Sequence, residues 1–197
     1  HMKLSTATFG AHDLLDRFTE MVRRPREAIG SLEFCRLFAY DRAMEDTPDN
    51  YARTKRWMHI TTTLTRYEAP VCTRYHDFHG YSSMLDIGGN SGEFLLQLCR
   101  RYPRLRGVVY DLPVVCRVGR EHIAGRPEAE RITFVEGDAL EGPLPSGFDL
   151  VAFKSMLHDW PDEPARRLLA AGSRALRPGG TLLIFERAPL EEMEGPP

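Results

Sequence analysis

Residues 83–94 read Ser-Met-Leu-Asp-Ile-Gly-Gly-Asn-Ser-Gly-Glu-Phe. A short apolar run, Met84, Leu85 and Ile87, carries one acid, Asp86. Gly88, Gly89, Asn90 and Ser91 then let the backbone turn tightly, and Gly92 opens the amphipathic segment Phe94-Leu95-Leu96-Gln97-Leu98. This pattern predicts strand, glycine turn and helix, an arrangement that aims backbone N–H groups and a helix N-terminus at a ligand. Glycine suits such a turn because a Cβ would clash with the ligand or forbid the required φ values.

Outward from this stretch, the chain changes character on either side of residue 82. Before it, apolar stripes at helical spacing cover residues 11–24, 31–44 and a helix opened by Thr47-Pro48, a capping hydroxyl followed by proline at the first helical position. That helix is expected to run to Tyr67 and to break at Pro70, with a second short helix over 70–77. Beyond residue 82, apolar runs at Met84–Ile87, Gly107–Tyr110, Ile132–Val135, Leu150–Phe153 and Thr181–Phe185 alternate with helical segments at 91–101, 113–123 and 163–176. Such alternation predicts an α/β fold: a Rossmann-like, mostly parallel sheet with helices on both faces, preceded by a helical segment. Arg177-Pro178-Gly179-Gly180 reads as a stop and turn before the fifth strand. The expected division is a helical segment over 1–80, a ligand-binding domain over 81–192 and a disordered tail over 193–197.

Composition narrows the classes. The 197 residues carry a net charge of −2, so nothing in bulk electrostatics argues for nucleic acid. No apolar run approaches the roughly 20 residues of a membrane span, and no signal-peptide core is visible. Cys35, Cys72, Cys99 and Cys116 are widely spaced, which predicts reduced thiols in a cytoplasmic protein and no zinc site. His1-Met2 reads as a cloning remnant.

Ligands of open α/β sheets sit beyond the carboxyl ends of the strands. Asp86 and the turn end the first strand, Asp111 the second, Glu136-Gly137-Asp138 the third, Lys154 with His158-Asp159-Trp160 the fourth, and Glu186 the fifth. Each residue alone has a bland explanation as a cap or turn; their coincidence on one edge is the signal. Asp111 follows Gly89 by 22 residues, the spacing of an acid that binds ribose hydroxyls. The loop lacks Gly-Lys-Ser/Thr, and its order Gly88-Gly89-x-x-Gly92 departs from the dinucleotide fingerprint.

These phrases together resemble the S-adenosylmethionine-dependent O-methyltransferases of the metal-independent, plant caffeic-acid type and their bacterial natural-product relatives. The resemblance covers about residues 47–192 and rests on Leu-Asp-Ile-Gly-Gly-Asn-Ser-Gly, Tyr-Asp-Leu-Pro-Val-Val, Gly-Asp-Ala-Leu, the stretch from Phe148 through His158-Asp159-Trp160, and Leu-Arg-Pro-Gly-Gly-Thr-Leu-Leu-Ile-Phe-Glu. It implies the class I methyltransferase fold and methyl transfer to a hydroxyl of a small aromatic or polyketide-like molecule. The cofactor would be S-adenosylmethionine, leaving as S-adenosylhomocysteine, with no metal.

By position, Asp86, Gly88, Gly89 and Asn90 would surround the methionine part of the cofactor. Asp111 with Leu112 would take the ribose, Gly137, Asp138 and Ala139 the adenine, and Lys154 a further contact. His158 matches the general base and Glu186 the acid that orients it, with Asp159 as a third candidate catalytic group. Trp57, Met58, Phe153, Met156 and Leu157 are candidate substrate residues. Asn90-Ser91 stands where relatives often have Gly-Thr, and Leu140 where an aromatic or methionine often packs on adenine. Relatives also have a longer helical domain before this region and a helix with two strands after it. A shortened chain is therefore expected, with Thr181–Phe185 as an exposed edge covered by a second copy, a companion chain or a repositioned helix. A homodimer formed through that edge or through the N-terminal helices follows from the same reading. The alternatives are an inactive cofactor-binding fragment or interaction module, and a relative that hydroxylates or decarboxylates with the same cofactor.

Overall fold

The computed structural model describes residues 23, 24 and 40–186. The expected helices at 11–24 and 31–44 fall almost wholly outside the described residues; within them, Asp41–Met44 forms one 3₁₀ turn. The elements that follow are α1 (Pro48–Tyr75), β1 (Ser83–Ile87), α2 (Glu93–Arg101), β2 (Arg106–Asp111), α3 (Pro113–Ile123), β3 (Ile132–Glu136), β4 (Phe148–Lys154), α4 (Asp162–Ala175) and β5 (Leu176–Phe185). The five strands form one parallel sheet in the order β3-β2-β1-β4-β5.

β1 is central because it can be buried on both faces. Met84, Leu85 and Ile87 are fully buried, as the apolar run of an internal parallel strand requires. Alternate residues serve opposite layers. Met84 joins the cluster beneath α1, α2 and α3, which includes Ala69, Phe94, Leu95, Cys116 and Phe134. Leu85 and Ile87 join Val151, Phe153, Leu168 and Ala175 beneath α4. The chain leaves β1 toward β2 and β3 on one side and returns to β4 and β5 on the other. That reversal opens a crevice at the carboxyl ends of β1 and β4.

The structure changes two expectations. α1 does not break at Pro70 but runs without interruption from Pro48 to Tyr75. Proline removes one helical hydrogen bond and crowds the preceding turn. Here Ala69 and Cys72, on either side of it, are both buried in the same cluster, so packing holds the two halves in line. Thr47 caps the helix as expected, its hydroxyl accepting from Asn50 N at 3.2 Å. The second change is at β5, which begins at Leu176 rather than Thr181. Leu176 pairs with Phe148 and Thr181 with Leu150, so Arg177-Pro178-Gly179-Gly180 bulges opposite a single residue, Asp149. The expected turn is present as a loop within the strand. β5 forms an edge of the sheet among the described residues, with Ile184 half-exposed. No described helix is long and apolar enough to cross a membrane.

Asp149 ties the amino ends of the central strands together. Its buried Oδ2 accepts from Ser82 N at 2.8 Å, Ser82 Oγ at 2.6 Å and Ser83 N at 3.1 Å, and Arg177 Nε reaches Oδ1 at 2.5 Å. Burial pushes this carboxyl up, but the donors from Ser82 and Ser83 and the Arg177 charge outweigh it and hold it below its usual range. Its contribution is therefore present above the unfolded carboxylate value and lost as pH falls through the folded one. Asp149→Ala is expected to lose roughly 2–4 kcal/mol in guanidinium melts near neutral pH, because three hydrogen bonds to one buried carboxylate are lost together. Arg177→Ala is expected to lose about 1 kcal/mol or less, since that arginine is largely in water.

Candidate active site

The glycine turn is built as the sequence requires. Gly88 and Gly92 have φ of +66° and +72°, and Asn90 sits at +55°, a left-handed conformation that asparagine tolerates. A Cβ on Gly88 would come within 2.7 Å of Met156 Cγ, and one on Gly89 within 2.7 Å of Asp86 Oδ2. The turn is clamped to the next strand: Asn90 N donates to Asp111 Oδ2 at 2.8 Å, and Leu112 N donates to Oδ1 at 2.8 Å. Burial pushes the Asp111 carboxyl up to about 6 against the pull of those two N–H donors.

Above the turn lies a cavity of about 610 Å³, within the range of about 300–1,000 Å³ of small-molecule sites. Of the expected cofactor residues, Asp86, Gly88, Gly89, Asn90, Asp111, Leu112 and Lys154 line it. Gly137, Asp138 and Ala139 do not. Gly137 N bonds Asp111 O at 3.0 Å, and a Cβ there would lie 2.0 Å from the Tyr110 hydroxyl. Ala139 and Leu140 pack against the α4-side cluster. Asp138 is held beside the cavity: Oδ1 accepts from Leu140 N at 2.8 Å and from the Tyr40 hydroxyl. Burial first, and Asp138 second, raise the Tyr40 phenol and keep it a donor. Tyr40 also meets Trp160 edge-on at 5.0 Å, and both line the cavity.

Lys154 lines the cavity and is anchored to α1. Its ammonium donates to Thr65 Oγ1 at 2.9 Å and to Glu68 Oε2, both on α1.

His158 stands at the cavity rim in the turn after β4, its side chain about half exposed. Glu186, just past β5, grips it. Glu186 Oε2 lies 2.7 Å from His158 Nδ1, while Oε1 accepts from Met156 N and Leu157 N at 2.8 Å each. One carboxylate thus fixes both the turn and the imidazole it carries. With Nδ1–H donating to Glu186, Nε2 is the nitrogen left to take a proton. Asp159 Oδ1 lies 3.3 Å from Nε2. Ser155, between Lys154 and this turn, has φ of +51°, an uncommon conformation for serine that marks a held bend.

Among the substrate candidates, Trp57 and Met156 line the cavity; three others do not. Met58 is one residue further round α1 and packs into the cluster with Leu112, Val115 and Val118. Phe153 alternates with Lys154 on β4, so it points to the other face and packs under Gly172 of α4. Leu157 joins that same layer. The sequence reading missed the α1 face of Ile60, Thr61, Leu64 and Thr65, which forms one cavity wall. Thr61 and Thr62 also pin the glycine turn, through Asn90 Oδ1 at 3.2 Å and Ser91 Oγ at 2.7 Å. The repeat of threonines at helical spacing was the available signal. Among the described residues no group of three or more His, Cys, Asp or Glu is placed to hold a metal ion.

The sequence profile of the O-methyltransferase domain matches residues 18–196. The chain belongs to the O-methyltransferase domain family. A 3-hydroxy-5-methyl-1-naphthoate 3-O-methyltransferase of Streptomyces sahachiroi is 41% identical over 120 residues, which are 61% of this chain and 35% of that protein. Aclacinomycin 10-hydroxylase of Streptomyces purpurascens is 38% identical over 125 residues, 64% of this chain and 33% of that protein. The crystal structure of an O-methyltransferase from neocarzinostatin biosynthesis, in complex with S-adenosylmethionine and 2-hydroxy-5-methyl naphthoic acid, matches with a TM-score of 0.59 at 25% identity, over 66% of this chain and 41% of that one. The chain therefore spans about a third of the length of these two curated relatives. Its parallel sheet is the class I methyltransferase sheet.

Asp86 is 1% exposed, and neither of its oxygens has a hydrogen-bond partner. Burial pushes it up to about 7, opposed by the Lys154 charge and assisted by Asp111. The folded protein therefore holds a proton here that the unfolded chain releases near pH 3.9, so stability falls as pH rises between those values. Asp86→Asn removes that dependence. Relative to wild type, the variant is expected to gain on the order of 2–4 kcal/mol as denaturation is moved from pH 4 to pH 8. An unchanged difference across that range would show that Asp86 does not titrate.

Proposed function

We propose that this protein is an S-adenosylmethionine-dependent O-methyltransferase acting on a hydroxyl of a small aromatic or polyketide-like molecule. His158 is its general base and Glu186 the residue that orients it. The observation that carries this reading is the His158–Glu186 pair, 2.7 Å apart, on the rim of the cavity floored by the glycine turn. The cavity fits the cofactor in chemistry as well as size: Gly88 and Gly89 leave no room for a Cβ, and Asp86 is a buried acid without a donor. Asp111 would hold the ribose and Asp138, steadied by Tyr40, the adenine. Trp57, Ile60, Leu64, Met156 and Trp160 supply apolar and aromatic wall for an aromatic acceptor.

When bound, S-adenosylmethionine supplies an electrophilic methyl group. The chain's part is to activate and place the acceptor. A phenol is a weak nucleophile until its proton is removed, and His158 Nε2, the ring nitrogen not bonded to Glu186, would take it. The Glu186 carboxylate fixes the tautomer and stabilises the imidazolium that forms. Asp159, close to the same nitrogen, has to yield that place to the acceptor hydroxyl. The aromatic wall would hold the acceptor oxygen in line, where positioning supplies much of the rate.

The resemblance to a hydroxylase of the same family favours a second reading, in which the same cavity serves hydroxylation. The His158–Glu186 dyad speaks for methyl transfer, since removal of a hydroxyl proton is what a methyl acceptor needs.

Calorimetric titration with S-adenosylmethionine is expected to show binding; its absence would remove the cofactor assignment. With hydroxynaphthoate-type acceptors, His158→Ala is expected to lower turnover by about 10²–10⁴-fold while leaving cofactor affinity unchanged. Glu186→Gln should give a smaller loss, because the amide oxygen can still accept from Met156 and Leu157. Mass spectrometry separates the readings: a methylated product supports the first, a hydroxylated one the second.

A further inference from the structure

Asp86 is a buried acid for which the fold supplies no partner. It occupies the fourth position of β1, and both its oxygens lack donors. Every element around it leaves it uncompensated. Lys154 on β4 is the cation that acts on it, but that ammonium is bonded to Thr65 and Glu68 of α1, making a pair with no net charge. Asp111 on β2 adds a second carboxyl. Cys72, facing it from α1, is a thiol that burial pushes up to about 11, so it remains neutral. Above Asp86 is Gly89, whose missing Cβ leaves the carboxyl next to the turn, and beyond that the cavity it lines. A buried carboxylate without a counter-ion is costly; it either keeps its proton or receives a positive charge from outside.

We propose that Asp86 is the charge-discriminating residue of the cofactor site. Its carboxylate serves as counter-ion to a cationic adenosine ligand, so that the site favours S-adenosylmethionine, with its sulfonium, over the thioether S-adenosylhomocysteine. This rests on the cofactor reading above. The charge balance is simple: the free protein holds Asp86 as the acid, entry of the cation expels that proton to solvent, and loss of the sulfonium charge lets the carboxyl take a proton back. The product form is then the one the site holds less well. Contact is not required, because charges separated by a few ångströms of protein interact far more strongly than they do in water.

Calorimetry tests this on the wild-type chain with both ligands, in two buffers of different ionisation enthalpy. The titrations are run at about pH 6.5, below the α-amino range of about 7.7–8.0. S-adenosylmethionine is expected to release more protons than S-adenosylhomocysteine. In Asp86→Asn that difference should vanish, and the preference for the sulfonium ligand should narrow by about tenfold, one pKa unit of interaction. Affinity for the thioether should stay within about twofold, since it carries no sulfonium to compensate. Equal proton release by the two ligands on the wild type overturns the proposal without reference to any variant, as does a parallel loss of both ligands in Asp86→Asn. If neither ligand binds the wild type, the cofactor reading falls and this one with it. Binding of both without discrimination removes only this one.

Discussion

The site depends on one hydrogen bond between backbone and side chain, from Asn90 N to Asp111 Oδ2 at 2.8 Å. It joins the glycine turn after β1 to the acid that ends β2, so the two strand ends cannot be positioned independently. The turn can offer that N–H only because Gly88, Asn90 and Gly92 accept positive φ. Asp111 can receive it only because β1 and β2 are paired in a register that places Ile87 beside Tyr110. Leu112 N completes the clamp at the first turn of α3. A carboxylate held by two backbone donors keeps its orientation at the cavity wall.

α1 does more than cover the sheet. Two of its buried residues, Ala69 and Cys72, anchor it over the same layer as α2. Its threonines reach the glycine turn, and Thr65 with Glu68 holds Lys154. One long helix therefore spans the site from Trp57, on the cavity wall, to Lys154 at the end of β4. Continuity through Pro70 keeps Cys72, beyond the proline, packed in the same layer as Ala69 before it.

The two acids of the site are handled in opposite ways. Glu186 is fully engaged, two backbone N–H groups on one oxygen and His158 on the other. Its negative charge is well solvated by protein dipoles and can support an imidazolium. Asp86, without donors, is kept from ionising easily. The difference comes from place, not residue type. Glu186 lies beside the turn after β4, where Met156 N and Leu157 N are free to donate to it, whereas Asp86 is inside a strand whose backbone groups are already paired within the sheet.

Much of this was legible in the amino-acid order. The parallel sheet, the strand-end acids and the glycine turn follow from local patterns, namely short apolar runs, helix starts and residue types that a turn demands, whereas the pairing of His158 with Glu186 was implied by the family resemblance. Other features were not legible, because they depend on which face a residue shows once layers pack. Met58 and Phe153 are apolar residues at plausible positions, yet helix rotation and strand alternation turn them into the core. Tyr40 comes within reach of Asp138, 98 residues further along the chain, only through tertiary folding. Lys154 lines the cavity, but its partners Thr65 and Glu68 come from α1, 86–89 residues away in the chain. The sequence by itself determined the elements and the chemistry placed at their ends, since those are set by spacing and side-chain type. Tertiary structure decided which charges find partners and which remain unpaired, because pairing depends on distance and burial between elements far apart in the chain.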